Sequence, residues 1–66
     1  MLKRLILQLI AAEGPIAKSR VVFVVQSWPG YEMETETSIH EAIEDLDSAE
    51  SIIKTYAHKD IYLEIN

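Results

Sequence analysis

The sequence has no cysteine, so neither a disulfide nor a thiolate metal site can brace it. His40 and His58 are its only imidazoles, and a structural zinc site would need carboxylates to complete it. Glycine and proline occur only as Gly14-Pro15 and Pro29-Gly30, too few glycines for a phosphate-cradling loop but two strong stops for regular structure. No apolar stretch approaches the roughly 20 residues that cross a bilayer. Lys3 and Arg4 ahead of Leu5–Ala12 imitate the start of a secretory signal, yet that run is short, contains Gln8 and offers Ile10 where cleavage needs a small side chain. The last shortage is of positive charge: no Lys or Arg lies between residues 21 and 50.

What the chain does have is charge sorted by position. Lys3, Arg4, Lys18 and Arg20 against Glu13 give residues 1–20 a charge of +3, whereas residues 21–50 hold eight acidic side chains and stand at −8. Beyond them, Lys54 and Lys59 balance Asp60 and Glu64. Apolar residues at 48% with charged residues at 26% belong to a folded chain rather than a disordered one, despite the net −5. One domain, residues 1–66, is expected, of a size at which roughly 60% of the unfolded surface can be buried. Oligomerisation is the common supplement to so small a core when disulfides are missing. A folded cytoplasmic protein is the expectation.

Leu2, Leu5, Ile6, Leu9 and Ile10 recur at helical spacing and define the apolar stripe of a helix from residue 2 to Glu13, stopped by Gly14-Pro15. Leu7 lies off that stripe and marks either a second buried surface or a single exposed leucine. Val21–Val25 supports two readings. Its β-branched run favours a strand. The spacing of Val21, Val24, Val25 and Trp28, after a polar turn Lys18-Ser19-Arg20, favours a helix buried on most sides, and the helix is preferred. In residues 31–37, Glu32, Glu34 and Glu36 alternate with Tyr31, Met33 and Thr35, as a short extended segment or a solvated loop. Ser38 with Glu41 has the form of a capping box, opening a helix from 38 to 50 with the stripe Ile39, Ala42, Ile43, Leu46 and Ala49. Ile52–Tyr56 and Ile61–Ile65 are β-prone and flank Ala57-His58-Lys59-Asp60, which predicts a hairpin. The expected class is mostly α with a C-terminal β-hairpin (α+β).

Helix, short turn, helix, loop, capped helix and hairpin is an order that resembles the winged helix-turn-helix superfamily over nearly the whole chain. Gly14–Arg20 is similar to the turn between its first two helices, and Ala42–Glu50 leading into Ile52–Tyr56 is similar to its passage from third helix to wing. The resemblance implies three helices plus a wing, with double-stranded DNA met by the third helix in the major groove and by the wing. It implies a transcriptional regulator acting as a homodimer. Lys3, Arg4, Lys18, Ser19, Arg20, His40, Lys54, Tyr56, His58 and Lys59 are the residues expected on the nucleic acid. The charges support a second expectation, ranked close behind. The third helix would present Glu41, Glu44, Asp45 and Asp47, whereas phosphate binding depends on Lys and Arg displacing counterions. The alternative is a protein-interaction winged helix whose acidic third helix, with Glu32, Glu34 and Glu36, meets a basic partner, or an acidic mimic of DNA.

No catalytic residue is expected. No serine has a recognisable activating partner, and a chain this small has little room for a desolvated pocket. His40 and Glu44 share a helix face but are two ligands where three or four are needed, and Asp45, Asp47 and Glu50 lack the spacing of a calcium loop. No metal or other cofactor is assigned. Phe23, Trp28, Tyr31, Tyr56 and Tyr62 could stack bases, but their spacing matches core and hairpin packing.

Overall fold

The computed structural model describes residues 1–66 in the order α1 (Leu2–Glu13), β1 (Ile16–Ala17), α2 (Lys18–Ser27), α3 (Glu36–Ser48), β2 (Ile52–Ala57) and β3 (Asp60–Ile65). Helix α1 has the span its apolar spacing predicts and turns Ile6, Leu9 and Ile10 into the core. Leu7 is half-buried against the same core, so its place off the stripe reflects a helix that packs on α2, α3 and β3 together. At the helix end the Gly14 N–H donates to the Ile10 carbonyl at 2.7 Å. A Cβ on Gly14 would stand 2.6 Å from the Ile10 carbonyl oxygen and 3.1 Å from that of Leu63. Glycine is required here by the close approach of helix and sheet.

One element is absent from the expectation. Ile16 and Ala17 form β1, paired antiparallel with Leu63 and Tyr62, and the sheet has three strands in the order β1-β3-β2. The hairpin is therefore part of a sheet, not a free ribbon. A strand of two residues is too short to display a period of two. Lys18-Ser19-Arg20, expected as a turn, is the first turn of α2.

Val21–Val25 is helical. Val21 and Val25 are fully buried and Val22 and Val24 half-buried. Burying a valine is worth roughly 1.5–3 kcal/mol, against a helix penalty below about 0.7, so packing overrides the β preference. Phe23 departs from its expected packing: it projects from α2 and is 66% exposed. Trp28 caps the helix and meets Tyr31 edge to face, with ring centroids 6.0 Å apart. The segment carrying Glu32, Glu34 and Met33 is a loop. It is pinned by the Gln26 side chain, which donates to the Glu34 carbonyl at 3.0 Å, and by the Gly30 N–H, which donates to the Glu32 carboxylate at 3.0 Å. Gly30 sits at φ 87, a conformation suited to glycine.

Helix α3 runs Glu36–Ser48 rather than 38–50. Thr35 is its N-cap, accepting the Ser38 N–H at 3.0 Å, while Ser38 Oγ donates to the Glu34 carboxylate at 2.6 Å. The expected Ser38–Glu41 capping box is therefore not the device used. The C-terminus closes as a Schellman motif, with the Ser51 N–H on the Leu46 carbonyl and the Glu50 N–H on that of Asp47, both at 2.9 Å. Glu50 takes the left-handed position, φ 59, that glycine usually fills. The hairpin turn is only His58-Lys59, at φ 51 and 65, so each strand runs one residue further than expected. Positive φ at both positions is the type I′ requirement. Ile6, Ile10, Val21, Val25, Ile39, Ile43 and Leu63 form the fully buried centre where the helices meet the sheet. No helix is long and apolar enough to cross a membrane.

Candidate interaction surface on helix α3 and the hairpin

Because Ile39, Ala42, Ile43 and Leu46 face the core, the helical period leaves His40, Glu44 and Asp47 on one flank of α3, and Glu41 and Asp45 further round. Lys54 of β2 reaches that first flank. Its Nζ donates to both Glu44 oxygens at 3.1 and 3.2 Å and stands 3.5 Å from Asp47 Oδ2. Lys18, the first residue of α2, brings its Nζ to 3.7 Å from Glu44 Oε1. On the far flank Lys3 of α1 lies 3.5 Å from Asp45 Oδ2. The hydrogen bond from Lys54, ahead of the charges of Lys54 and Lys18, holds the Glu44 carboxyl below its ordinary value. The same bond raises the Lys54 ammonium above its own. Carboxylates of α3 thus neutralise Lys3, Lys18 and Lys54, half of the six basic side chains, from within.

Between the start of α2, the start of α3 and the tip of the hairpin lies a groove of about 410 Å³, lined by Lys18, Ser19, Val22, Glu36, His40, Asp60 and Ile61. Ser19 Oγ donates to Asp60 Oδ2 and the Ile61 N–H donates to Oδ1, each at 2.7 Å. These bonds, that of Ser19 first, hold the Asp60 carboxyl below its ordinary value. His40 Nε2 is 3.7 Å from Glu36 Oε1, an ion pair whenever the imidazole is protonated.

Of the residues expected on nucleic acid, Lys18, Ser19 and His40 line this groove, and Lys54 is drawn onto α3. Lys3 is paired elsewhere. Arg4, Arg20 and Lys59 make no ion pair and sit on three different elements, α1, α2 and the turn. The Arg20 guanidinium lies 5.9 Å over the exposed Phe23 ring. His58 is exposed at the turn, and Tyr56 is 75% exposed rather than packed in the hairpin. Glu44 was expected on the acidic face of the third helix but not as the bridge between Lys18 and Lys54, and Asp60 was not expected in the surface. The bridging role of Glu44 had a signal, the spacing of His40, Glu44 and Asp47 along one flank. Asp60 had none, because β1 is what carries Ser19 to it.

No three His, Asp or Glu side chains converge as metal ligands would. No protein-family model, curated protein or solved structure gives a significant match to this chain.

Proposed function

We propose that this chain is a small winged-helix interaction module whose acidic third helix engages a basic partner protein. Support for the winged-helix reading comes from the connectivity α1-β1-α2-α3-β2-β3, with β1 and β2 flanking β3, which sets a hairpin beside a helix-turn-helix core. The observation that favours a protein over DNA is Glu44 held between Lys18 and Lys54. A DNA reader keeps such cations free to displace counterions from phosphates. Here the helix that would enter the groove occupies them. Glu36, Glu41 and Asp45 are exposed alongside, Glu41 with no ion-pair partner, Glu36 beside His40 and Asp45 beside the exposed Lys3. Together they form a surface that repels a polyanion and attracts a Lys- and Arg-rich segment.

DNA binding as a homodimeric regulator is the second reading, favoured by the unpaired Arg4, Arg20 and Lys59. Three phosphate contacts per chain are six in the homodimer, which puts the expected loss of affinity between ~50 and ~200 mM salt at ~10³, the low end of the 10³–10⁵ for six to ten contacts. Titrating labelled octalysine and a labelled duplex into the protein at ~50 mM salt separates the readings. The peptide is expected to bind, the duplex not to bind, and Glu41→Gln with Asp45→Asn to weaken the peptide about tenfold. A duplex bound more tightly than the peptide, or a peptide indifferent to both substitutions, rejects the proposal.

A further inference from the structure

The groove at the junction of α2, α3 and the hairpin combines features that the solvated acids elsewhere lack. Val22 and Ile61 line it, and both pack against the core. Asp60 enters from β3 with its carboxylate oriented by two hydrogen bonds of 2.7 Å, and Glu36 enters from the first turn of α3. Lys18 also lines the groove, but its ammonium is 3.7 Å from Glu44. No Lys or Arg of the chain pairs with Asp60 or Glu36, and the one basic neighbour of Glu36 is His40, 3.7 Å away on the same helix.

We infer that this groove seats one arginine side chain of the partner, its methylene stem against Val22 and Ile61 and its guanidinium between Asp60 and Glu36. An apolar lining with an acidic rim matches a side chain that buries its stem and keeps its head polar. A volume of about 410 Å³ admits a side chain of that length. Carboxylates brought in from two different elements suit a planar fork of five donors better than the point charge of lysine. Each Asp60 oxygen already accepts one bond and retains a further lone pair, so the carboxylate is oriented without being saturated. A nucleotide fits worse, since its phosphates would face the same two carboxylates.

The inference rests on a basic protein partner, and its test keeps the two claims apart. The ¹⁵N-labelled full chain is titrated with a capped Gly-Gly-Arg-Gly-Gly peptide and with its lysine and citrulline counterparts, following amide shifts. The arginine peptide is expected to move Ser19, Val22, His40 and Ile61, the lysine peptide to bind more weakly, and the citrulline peptide to leave them unmoved. Glu36→Gln and, separately, Asp60→Asn should each weaken the arginine peptide about fivefold, while Glu41→Gln outside the groove does not. Glu36 is 70% exposed, so that variant carries the test even if Asp60→Asn disturbs the turn. Equal response to arginine and citrulline, indifference to both groove substitutions, or no shift at all overturns the inference. Shifts confined to the Glu41–Asp45 side overturn it while leaving the acidic-face proposal standing. Failure of octalysine as well removes both.

Discussion

At the base of the hairpin Ile52 and Leu63 are buried, Lys54 is held by Glu44 and Asp47, and β1 adds a third strand along Leu63. At its tip His58 and Lys59 take left-handed backbone, Tyr56 is 75% exposed, and neither turn residue has an ion-pair partner. The same two strands therefore do different work at their two ends. The base fixes the sheet to the helices. The tip is tied back by the Ser19–Asp60 hydrogen bond and otherwise presents its side chains to solvent beside the groove. In a domain this small, stability concentrates where the strands are covered, and contact surface remains where they are not.

The sharpest way to break that comparison is Leu63→Ala against Tyr56→Ala. Leu63 is fully buried, opposite Ile16 on one side and Lys54 on the other. Its truncation should cost ~2–5 kcal/mol, a large share of the total stability of a domain this size, whereas the exposed Tyr56 should change it by no more than about 0.5. Urea denaturation monitored by circular dichroism measures both, and equal losses would erase the distinction between base and tip. Next in size is Gly14→Ala. The added methyl would meet two backbone carbonyls that cannot swing aside, at 2.6 and 3.1 Å. A cost of about 1–3 kcal/mol is expected, read as a lower urea midpoint, and an unchanged midpoint would show that α1 shifts freely against β3.

What sequence alone made legible follows the same division between local and distant causes. Helix α1 was readable to its ends because stripe and stop, Leu2–Ile10 and Gly14-Pro15, lie within one segment. The core face of α3 was equally plain through Ile39, Ala42, Ile43 and Leu46, but Ala49, expected on that stripe, is the exposed C-cap. The start of α3 was not legible: Thr35 and Ser38 are both capping residues, and the choice between them depends on Ser38 turning to Glu34 instead. Val21–Val25 was ambiguous until its neighbours buried it. Strand β1 was illegible because its evidence is its partner, Leu63 and Tyr62 at the far end of the chain. The groove inherits that gap. Ser19 and Asp60 are 41 positions apart, and the β1–β3 pairing with the packing of α2 on β3 brings them together.

The tip offers a smaller effect of opposite sign. A side chain in left-handed backbone costs roughly 1–2 kcal/mol that glycine avoids, though glycine loses part of the gain to unfolded-state entropy. Lys59→Gly, relieving φ 65, is expected to stabilise by about 0.5–1 kcal/mol. Thermal unfolding should show a higher midpoint. A lower one would mean that the lysine side chain makes a compensating contact.

The smallest effect belongs to the ion pairs at the base and has a definite shape in pH. Glu44 is held below its ordinary 4.5 chiefly by the Lys54 hydrogen bond, so the folded state binds its proton more weakly than the unfolded state does. The resulting stability is fully present above 4.5 and is lost as pH falls through the lowered folded value. Lys54, raised above 10.5 chiefly by the same bond, contributes below 10.5 and loses that contribution as pH rises through the raised folded value. Glu44 is half exposed and screened by solvent, so the network should be worth only about 0.5 kcal/mol at neutral pH. Glu44→Gln is expected to shrink the acid arm, leaving the part that Asp60 contributes, and to shrink the alkaline arm, since Lys54 then keeps only Asp47 as a partner. Urea midpoints measured across pH at low and high salt test this. A Glu44→Gln protein whose two arms are unchanged in size would show that the Glu44 clasp at the base contributes nothing to holding β2 on α3.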